Sequence, residues 1–257
     1  MHYHHIHFKE IDSTNGYLKN SYKLLNDLTF VSADYQSGGK GRNDRTWISN
    51  RGENLMFSFL IKNQVLTKKY NYLSIYTAIE VARIIESYKI DNVSIKWPND
   101  VLIGDKKVCG ILLEGQVLEY IVIGVGLNVN QKEFPSGLRR PATSLSLEAK
   151  KDIEIGELKE KLFNQIVNGL SNFDERSCFE YLSKHNYLLN KKVRVIVNDN
   201  PFVGEVVGPQ KPEYQRPSHP RRSESVHACY ARPASASPSH SARLREARYP
   251  ATLRGSP

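Results

Sequence analysis

Apolar positions along this chain fall into two spacings. Short runs of strand length alternate with stretches in which apolar residues recur every three or four positions, and their order predicts the fold class. His5–Ile11 alternates as a first strand. The capping run Asp12-Ser13-Thr14-Asn15 follows, and Tyr17, Leu18, Tyr22 and Leu25 predict a helix over 17–25. Phe30–Tyr35 and Asn54–Ile61 read as strands, and Leu73–Tyr88 as an amphipathic helix. Val93–Lys96 is a short strand running into Trp97-Pro98-Asn99-Asp100. Lys107–Leu118 and Glu119–Asn128 pattern as an antiparallel pair with a polar loop after them, and Ile155–Leu170 is helical. Lys192–Asn198 and Phe202–Val207 form a hairpin across Asp199-Asn200-Pro201. Interleaved strands, helices and hairpin pairs give an α+β class, a mixed or antiparallel sheet with flanking helices. The most apolar stretches, Leu55–Ile61 and Ile121–Val129, are strand-sized. Neither approaches the roughly 18 apolar residues of a membrane span.

The patterning stops near Gly208, and the charge changes there too. Residues 209–257 hold eight Arg and one Lys against three Glu, which is +6 of the chain's net +9. The first 208 residues carry only +3, ordinary for a soluble domain, so the basic balance does not make the body a nucleic-acid binder. The same segment holds eight of the 12 prolines and no Ile, Asn or Phe. Such a composition cannot offset the entropy of ordering, and it predicts a disordered low-complexity tail. An abrupt switch to Arg, Pro, Ala and Ser reads as a segment foreign to the fold. A basic arm for RNA or anionic surfaces is the other reading. Cys109, Cys178 and Cys229 have neither disulfide nor metal spacing, and the N-terminus lacks the apolar core of a signal peptide. The expected location is the cytoplasm.

Candidate chemistry concentrates in Gln36–Trp47, QSGGKGRNDRTW. Its glycines allow main-chain N–H groups to approach an anion, and Lys40, Arg42 and Arg45 add charge suited to phosphate or carboxylate. A basic surface turn is the plainer alternative. The loop is not a Walker A motif, since Gly41 and Arg42 follow Lys40. Gly124-Val-Gly126-Leu-Asn128 is not a dinucleotide fingerprint either, lacking the third glycine. A second signal, Lys96-Trp97-Pro98-Asn99-Asp100, presents Asn99 and Asp100 at a sheet end, with Lys106-Lys107-Val-Cys-Gly110-Ile-Leu-Leu-Glu114 soon after. Each piece alone is good turn or loop chemistry.

Taken in order, these segments closely resemble the catalytic domain of biotin–protein ligases. The matching pieces are Asp12-Ser13-Thr14-Asn15, Gln36–Arg42 with Trp47, Lys96–Asp100, Lys107–Glu114 and Ile123–Asn130. The resemblance covers roughly residues 5–208. It implies a two-step ligase: biotin attacks the α-phosphate of ATP, giving biotinyl-5′-AMP and pyrophosphate, and a lysine of a biotin carboxyl carrier domain then takes the biotinyl group. By resemblance, Ser13, Thr14, Asn15, Gln36, Lys40, Gly41, Arg42, Lys107 and Gly110 line the biotin site. Lys40, Arg42, Trp47, Lys107 and Asn128 bind ATP, with Trp47 and Asn128 at the adenine. Lys107, Arg42 and Asp100 are the implied catalytic residues, Asp100 as a neighbour of the Mg²⁺ that accompanies ATP or as an acceptor for the incoming lysine's proton. No metal site follows from residue spacing alone.

The resemblance also implies where this chain departs. Lys40 stands where the family often has Arg, so a point charge replaces a bidentate fork. Asp44 needs Arg42 or Arg45 as a partner beside phosphates. Ser13-Thr14 lies a dozen residues from Met1, so a monofunctional ligase without a DNA role is expected. The domain reading is a catalytic domain over 1–185, the first hairpin of a small C-terminal β-barrel over 186–208, and the tail over 209–257. No membrane partner is expected, and monomer and homodimer are both left open. A lipoate or octanoate protein ligase is the alternative enzyme, and a non-catalytic biotin sensor the alternative of another class.

Overall fold

The computed structural model describes residues 2–42, 45–197, 200–208 and 230–233. In chain order the elements are β1 (His4–Phe8), α1 (Thr14–Ser21), β2 (Thr29–Ala33), β3 (Asn54–Ile61), α2 (Gln64–Thr67), α3 (Tyr70–Ser87), β4 (Val93–Lys96), β5 (Asp100–Ile103), β6 (Lys106–Gln116) and β7 (Tyr120–Asn128). They continue with α4 (Leu145–Ala149), α5 (Ile155–Ser171), α6 (Glu175–His185), β8 (Lys192–Val197), β9 (Asn200–Gly208) and β10 (Tyr230–Pro233). A seven-stranded sheet runs β1-β2-β3-β7-β6-β5-β4. Its β1–β2 pair is parallel and every other neighbour antiparallel, which is the mixed sheet with flanking helices that the patterning predicts.

Side chains on a strand alternate between faces, and here the two faces differ in kind. Leu55, Phe57, Phe59 and Ile61 of β3, with Ile121, Ile123, Val125 and Leu127 of β7, enter the larger core under α3, α5 and α6. Phe163 of α5 seals it, its ring centroid 4.3 Å from Phe30 and 4.8 Å from Phe57. The other face packs Leu60 and Val122 with Leu18 of α1 in a much smaller cluster. Further along the same face come Ser58, Gly124 and Gly126, where apolar packing gives way to a cleft.

The elements depart from the sequence expectations in identifiable places. The first helix starts at Thr14, because Ser13 adopts an extended N-cap conformation and its Oγ accepts from the Gly16 N–H at 3.2 Å. It ends at Ser21 rather than 25. Strand β5 and helices α2, α4 and α6 were not expected. Four residues of β5 following a proline turn carry too little pattern to read, whereas α6 has its Asp174 cap, accepting from the N–H groups of Arg176 and Ser177. Its segment, ERSCFEYLSKH, has a negative mean hydropathy that hides the inward Cys178 and Leu182.

A second sheet, β10-β9-β8, holds the expected hairpin and one strand more. Tyr230–Pro233 lies in the segment where no strand was expected, yet pairs antiparallel with β9. Main-chain hydrogen bonding to an available strand edge requires no side-chain periodicity, so four residues leave no signal. The rest of the expected tail, 209–229 and 234–257, lies outside the described residues. Among the described residues no helix is long and apolar enough to cross a membrane.

Candidate active site

The cleft sits where α1, the glycine loop and the β4–β5 turn meet the polar face of the sheet, and its space amounts to about 500 Å³, part of it open to solvent. Ser13, Thr14, Asn15, Gln36, Lys40, Gly41, Arg42, Trp47, Lys107 and Gly110 all line it. Local structure explains the convergence. Capping by Ser13 puts Thr14 and Asn15 in the buried first turn of α1. Gln36 is held beside them by the Ile11–Gln36 bridge, and its Oε1 accepts from the Thr14 N–H at 2.8 Å. The glycine loop folds back on itself: the Trp47 N–H donates to the Gly39 carbonyl at 2.9 Å and the Gly41 N–H to the Arg45 carbonyl at 2.6 Å. Asn43 and Asp44, with the expected pairing of Asp44, lie outside the described residues.

The floor is shaped by missing side chains. A methyl group at Gly126 would lie 2.4 Å from Cε2 of Trp47, and one at Gly110 would lie 3.0 Å from its Cζ3. The indole therefore lies flat on two adjacent strands, β6 and β7, at positions that are direct cross-strand partners. Its Nε1 is buried and finds no hydrogen-bond partner among the described residues. Lys107 stands beside it, Nζ 5.6 Å from the ring centroid.

Charge is concentrated at the other end. Lys107 Nζ donates to Asp100 Oδ1 at 2.8 Å, and both side chains are partly buried. Lys96 is the β4 partner of Asp100 in the sheet. Burial lowers the pKa of its ammonium below the usual lysine value; Arg140, Arg139 and Lys107 add to the effect and Asp100 opposes it. Arg42 reaches across to the β4–β5 turn, where its Nη1 donates to Asn99 Oδ1 at 3.2 Å, while Asn99 Nδ2 donates to the Ile111 carbonyl at 3.1 Å. The turn thus anchors one cation of the loop, and the peptide before Pro98 is cis. Cations outnumber carboxylates around this end, which suits an anionic ligand.

Two expected residues stand back from the cleft lining. Asp100 touches it through Lys107. Asn128, at the end of β7, is buried and donates from Nδ2 to the Thr143 carbonyl at 2.9 Å, so its amide fixes the loop that pairs with Lys107 through Ala142. Conversely, Ser58, Asn99, Glu114, Gly124 and Gly126 belong to the site or its support without having been singled out as site residues. Ser58 carried a signal, a hydroxyl inside the apolar run Asn54–Ile61. Gly124 and Gly126 drew notice as a failed dinucleotide motif and within the matched segment Ile123–Asn130, without a role of their own. Among the described residues no group of three His, Cys, Asp or Glu is placed to hold a metal ion.

The cleft has polar groups at one end and convergent cations at the other, an arrangement suited to a small polar molecule next to an anion. The sequence model of the Biotin/lipoate A/B protein ligase family matches residues 7–128. Biotin protein ligase from Aquifex aeolicus, solved in complex with biotin and ATP, is 31% identical with a TM-score of 0.70, covering 80% of this chain and 88% of its own. The chain belongs to the biotin protein ligase family. Among curated relatives, the bifunctional ligase/repressor BirA of Escherichia coli is 30% identical over 202 residues, 76% of this chain and 63% of its own. BirA of Bacillus spizizenii is 37% identical over 152 residues, 55% of this chain and 46% of its own. The chain spans about half the length of the Bacillus relatives it matches and 63% of the Escherichia coli one.

Proposed function

We propose that this chain is an ATP-dependent biotin–protein ligase, joining biotin to AMP with release of pyrophosphate and then passing the biotinyl group to a lysine of a biotin carboxyl carrier domain. The observation that carries the reading is the cleft itself: a hydroxyl- and amide-lined pocket at α1 adjoining Lys40, Arg42 and Lys107. Biotin has a ureido group suited to the first and a carboxylate suited to the second. Family membership supports both substrates.

In the first step a carboxylate oxygen must approach the α-phosphate of ATP, two anions drawn together. Lys107, Arg42 and Lys40 screen that repulsion and stabilise charge developing on the phosphoryl oxygens and the departing pyrophosphate. No protein nucleophile is required. Trp47 offers a flat apolar surface for adenine, held rigid by Gly110 and Gly126. For the Mg²⁺ that travels with ATP, the site offers Asp100 and Asn99 as oxygen donors. One carboxylate fits an ion that stays largely on the phosphates, where it would withdraw charge from them. In the second step the neutral amine of the carrier lysine attacks the biotinyl carbonyl, the new amide bond forms, and the bond to AMP breaks. Asp100, held in place by its hydrogen bond from Lys107, is the carboxylate offered to receive the proton lost by that amine.

The test is adenylate formation from biotin and α-labelled ATP, with lipoate and octanoate as competing acids. Labelled biotinyl-AMP is expected with biotin and not with the other two, and Lys107→Ala is expected to lose it by about three orders of magnitude, as when a transition-state charge contact is removed. Equal turnover by the variant contradicts the assignment of Lys107, and preference for lipoate contradicts the substrate.

A further inference from the structure

The polar end of the cleft is a chain of hydrogen bonds whose protons can be counted. Glu114, on β6, accepts from Asn15 Nδ2 through Oε2 at 2.7 Å and from Lys19 Nζ through Oε1 at 2.5 Å. An ionised carboxylate can only accept, so the amide nitrogen of Asn15 must face Glu114 and its Oδ1 must face β3. Oδ1 also only accepts. Ser58 Oγ, 2.5 Å away, therefore spends its single proton there. Thr14 Oγ1 lies 2.6 Å from Ser58 Oγ and supplies the next proton. Gln36 Oε1, 3.0 Å from Thr14 Oγ1, is the competing acceptor for that proton, but it lies farther away than Ser58 Oγ and already accepts from the Thr14 N–H at 2.8 Å. Every hydroxyl proton in the chain thus runs toward Glu114.

We propose that Glu114 is a positioning residue, setting the direction of the Thr14–Ser58–Asn15 chain and so which hydrogen-bonding sites the cleft offers to the ureido group of biotin. The proposal rests on the biotin reading of the cleft given above. With the chain running toward Glu114, Thr14 Oγ1 keeps both acceptor sites and Ser58 Oγ keeps one. If Asn15 flips, Nδ2 donates to Ser58, Ser58 to Thr14, and Thr14 to Gln36 Oε1. Thr14 then loses an acceptor site, although the number of bonds in the chain is unchanged. A ureido group presents two N–H donors, so the first direction matches it and the second does not. Gly124 makes the arrangement possible, since a methyl group there would lie 2.2 Å from Asn15 Oδ1. Lys19 Nζ occupies the other oxygen of Glu114, so both oxygens of the carboxylate act as acceptors.

Calorimetric titration of biotin into the full chain tests this. Glu114→Gln, whose amide can face Asn15 with either end, is expected to weaken biotin binding by about tenfold or more while leaving kcat at saturating biotin within about twofold, the pattern of lost ground-state binding. In an Asn15→Ala background the same change is expected to add nothing, because the effect travels through that amide. Glu114→Asp, which still only accepts, is expected to bind more tightly than Glu114→Gln. Ser58→Ala interrupts the chain without touching the Lys19–Glu114 pair and is expected to show a comparable loss, which covers the case in which Glu114→Gln fails to fold. Wild-type affinity in Glu114→Gln or Ser58→Ala, or an undiminished loss in the Asn15→Ala background, overturns the positioning role and leaves the ligase reading standing. A wild-type chain that binds no biotin overturns both.

Discussion

At Gly126 a hydrogen atom stands where any other residue would put carbon into the indole of Trp47. The residue is functional by what it lacks, and the same holds for Gly110 and Gly124 around it. Gly126→Ala is expected to displace Trp47 at a cost of about 1–3 kcal/mol, the usual range for overpacking. The loss should appear as a raised KM for ATP and a shifted tryptophan emission, with biotin affinity nearly preserved. An unchanged KM for ATP contradicts the placement of adenine on the indole. Gly110 was named as a site residue only through the family resemblance, and Gly124 and Gly126 were not named as site residues at all. A glycine in a strand signals only that something comes close; here it is the loop side chain Trp47 at Gly110 and Gly126, and Asn15 of α1 at Gly124. By contrast, Lys40 and Arg42 were legible because charge beside glycine is informative without knowledge of the fold, whereas Lys107 was reached only through the resemblance.

Among the elements, the long helices were readable because burial imposes a period on many residues. Helix α3 spans Tyr70–Ser87 and α5 Ile155–Ser171, each within three residues of the boundaries their apolar spacing predicts. The short ones were not, since β5, α2 and α4 contain only four or five residues each. Helix packing also buries one acid. Glu80 of α3 is almost fully covered by α5, with Gln165 Nε2 at 2.7 Å from its Oε2 and Arg83 Nη1 at 2.9 Å from its Oε1. Burial raises its pKa above the ordinary carboxylate value, and the hydrogen bonds of Gln165 and the charge of Arg83 offset this only in part. Because the folded pKa is the higher one, folding is favoured while Glu80 is protonated, and that contribution is lost as pH rises through the folded value. Glu80→Gln is therefore expected to raise the thermal midpoint at pH 7 and to change it little near pH 4. Denaturation followed at both values checks this, and a gain confined to the acidic value contradicts it.

For the molecule as a whole, the two faces of one sheet divide the labour. The face under α3, α5 and α6 is closed by aromatic and aliphatic packing, while the face at α1 keeps a small apolar cluster and opens into the cleft. Both strands that form its centre, β3 and β7, read as plain apolar runs, because a strand in the middle of a sheet is buried on both sides. The alternation that separates core from cleft is visible only once Ser58, Gly124 and Gly126 are seen to share a face. The net charge of +9 likewise misleads until it is divided along the chain, since the cations that matter are few and local. The central claim is that these local cations and the polar pocket together make a biotin–protein ligase. Its most direct test is mass spectrometry of an apo biotin carboxyl carrier domain incubated with this chain, biotin and Mg-ATP. One biotinylated lysine on the carrier is expected, absent without ATP and absent with Lys107→Ala. A folded chain that leaves the carrier unmodified under these conditions contradicts the claim.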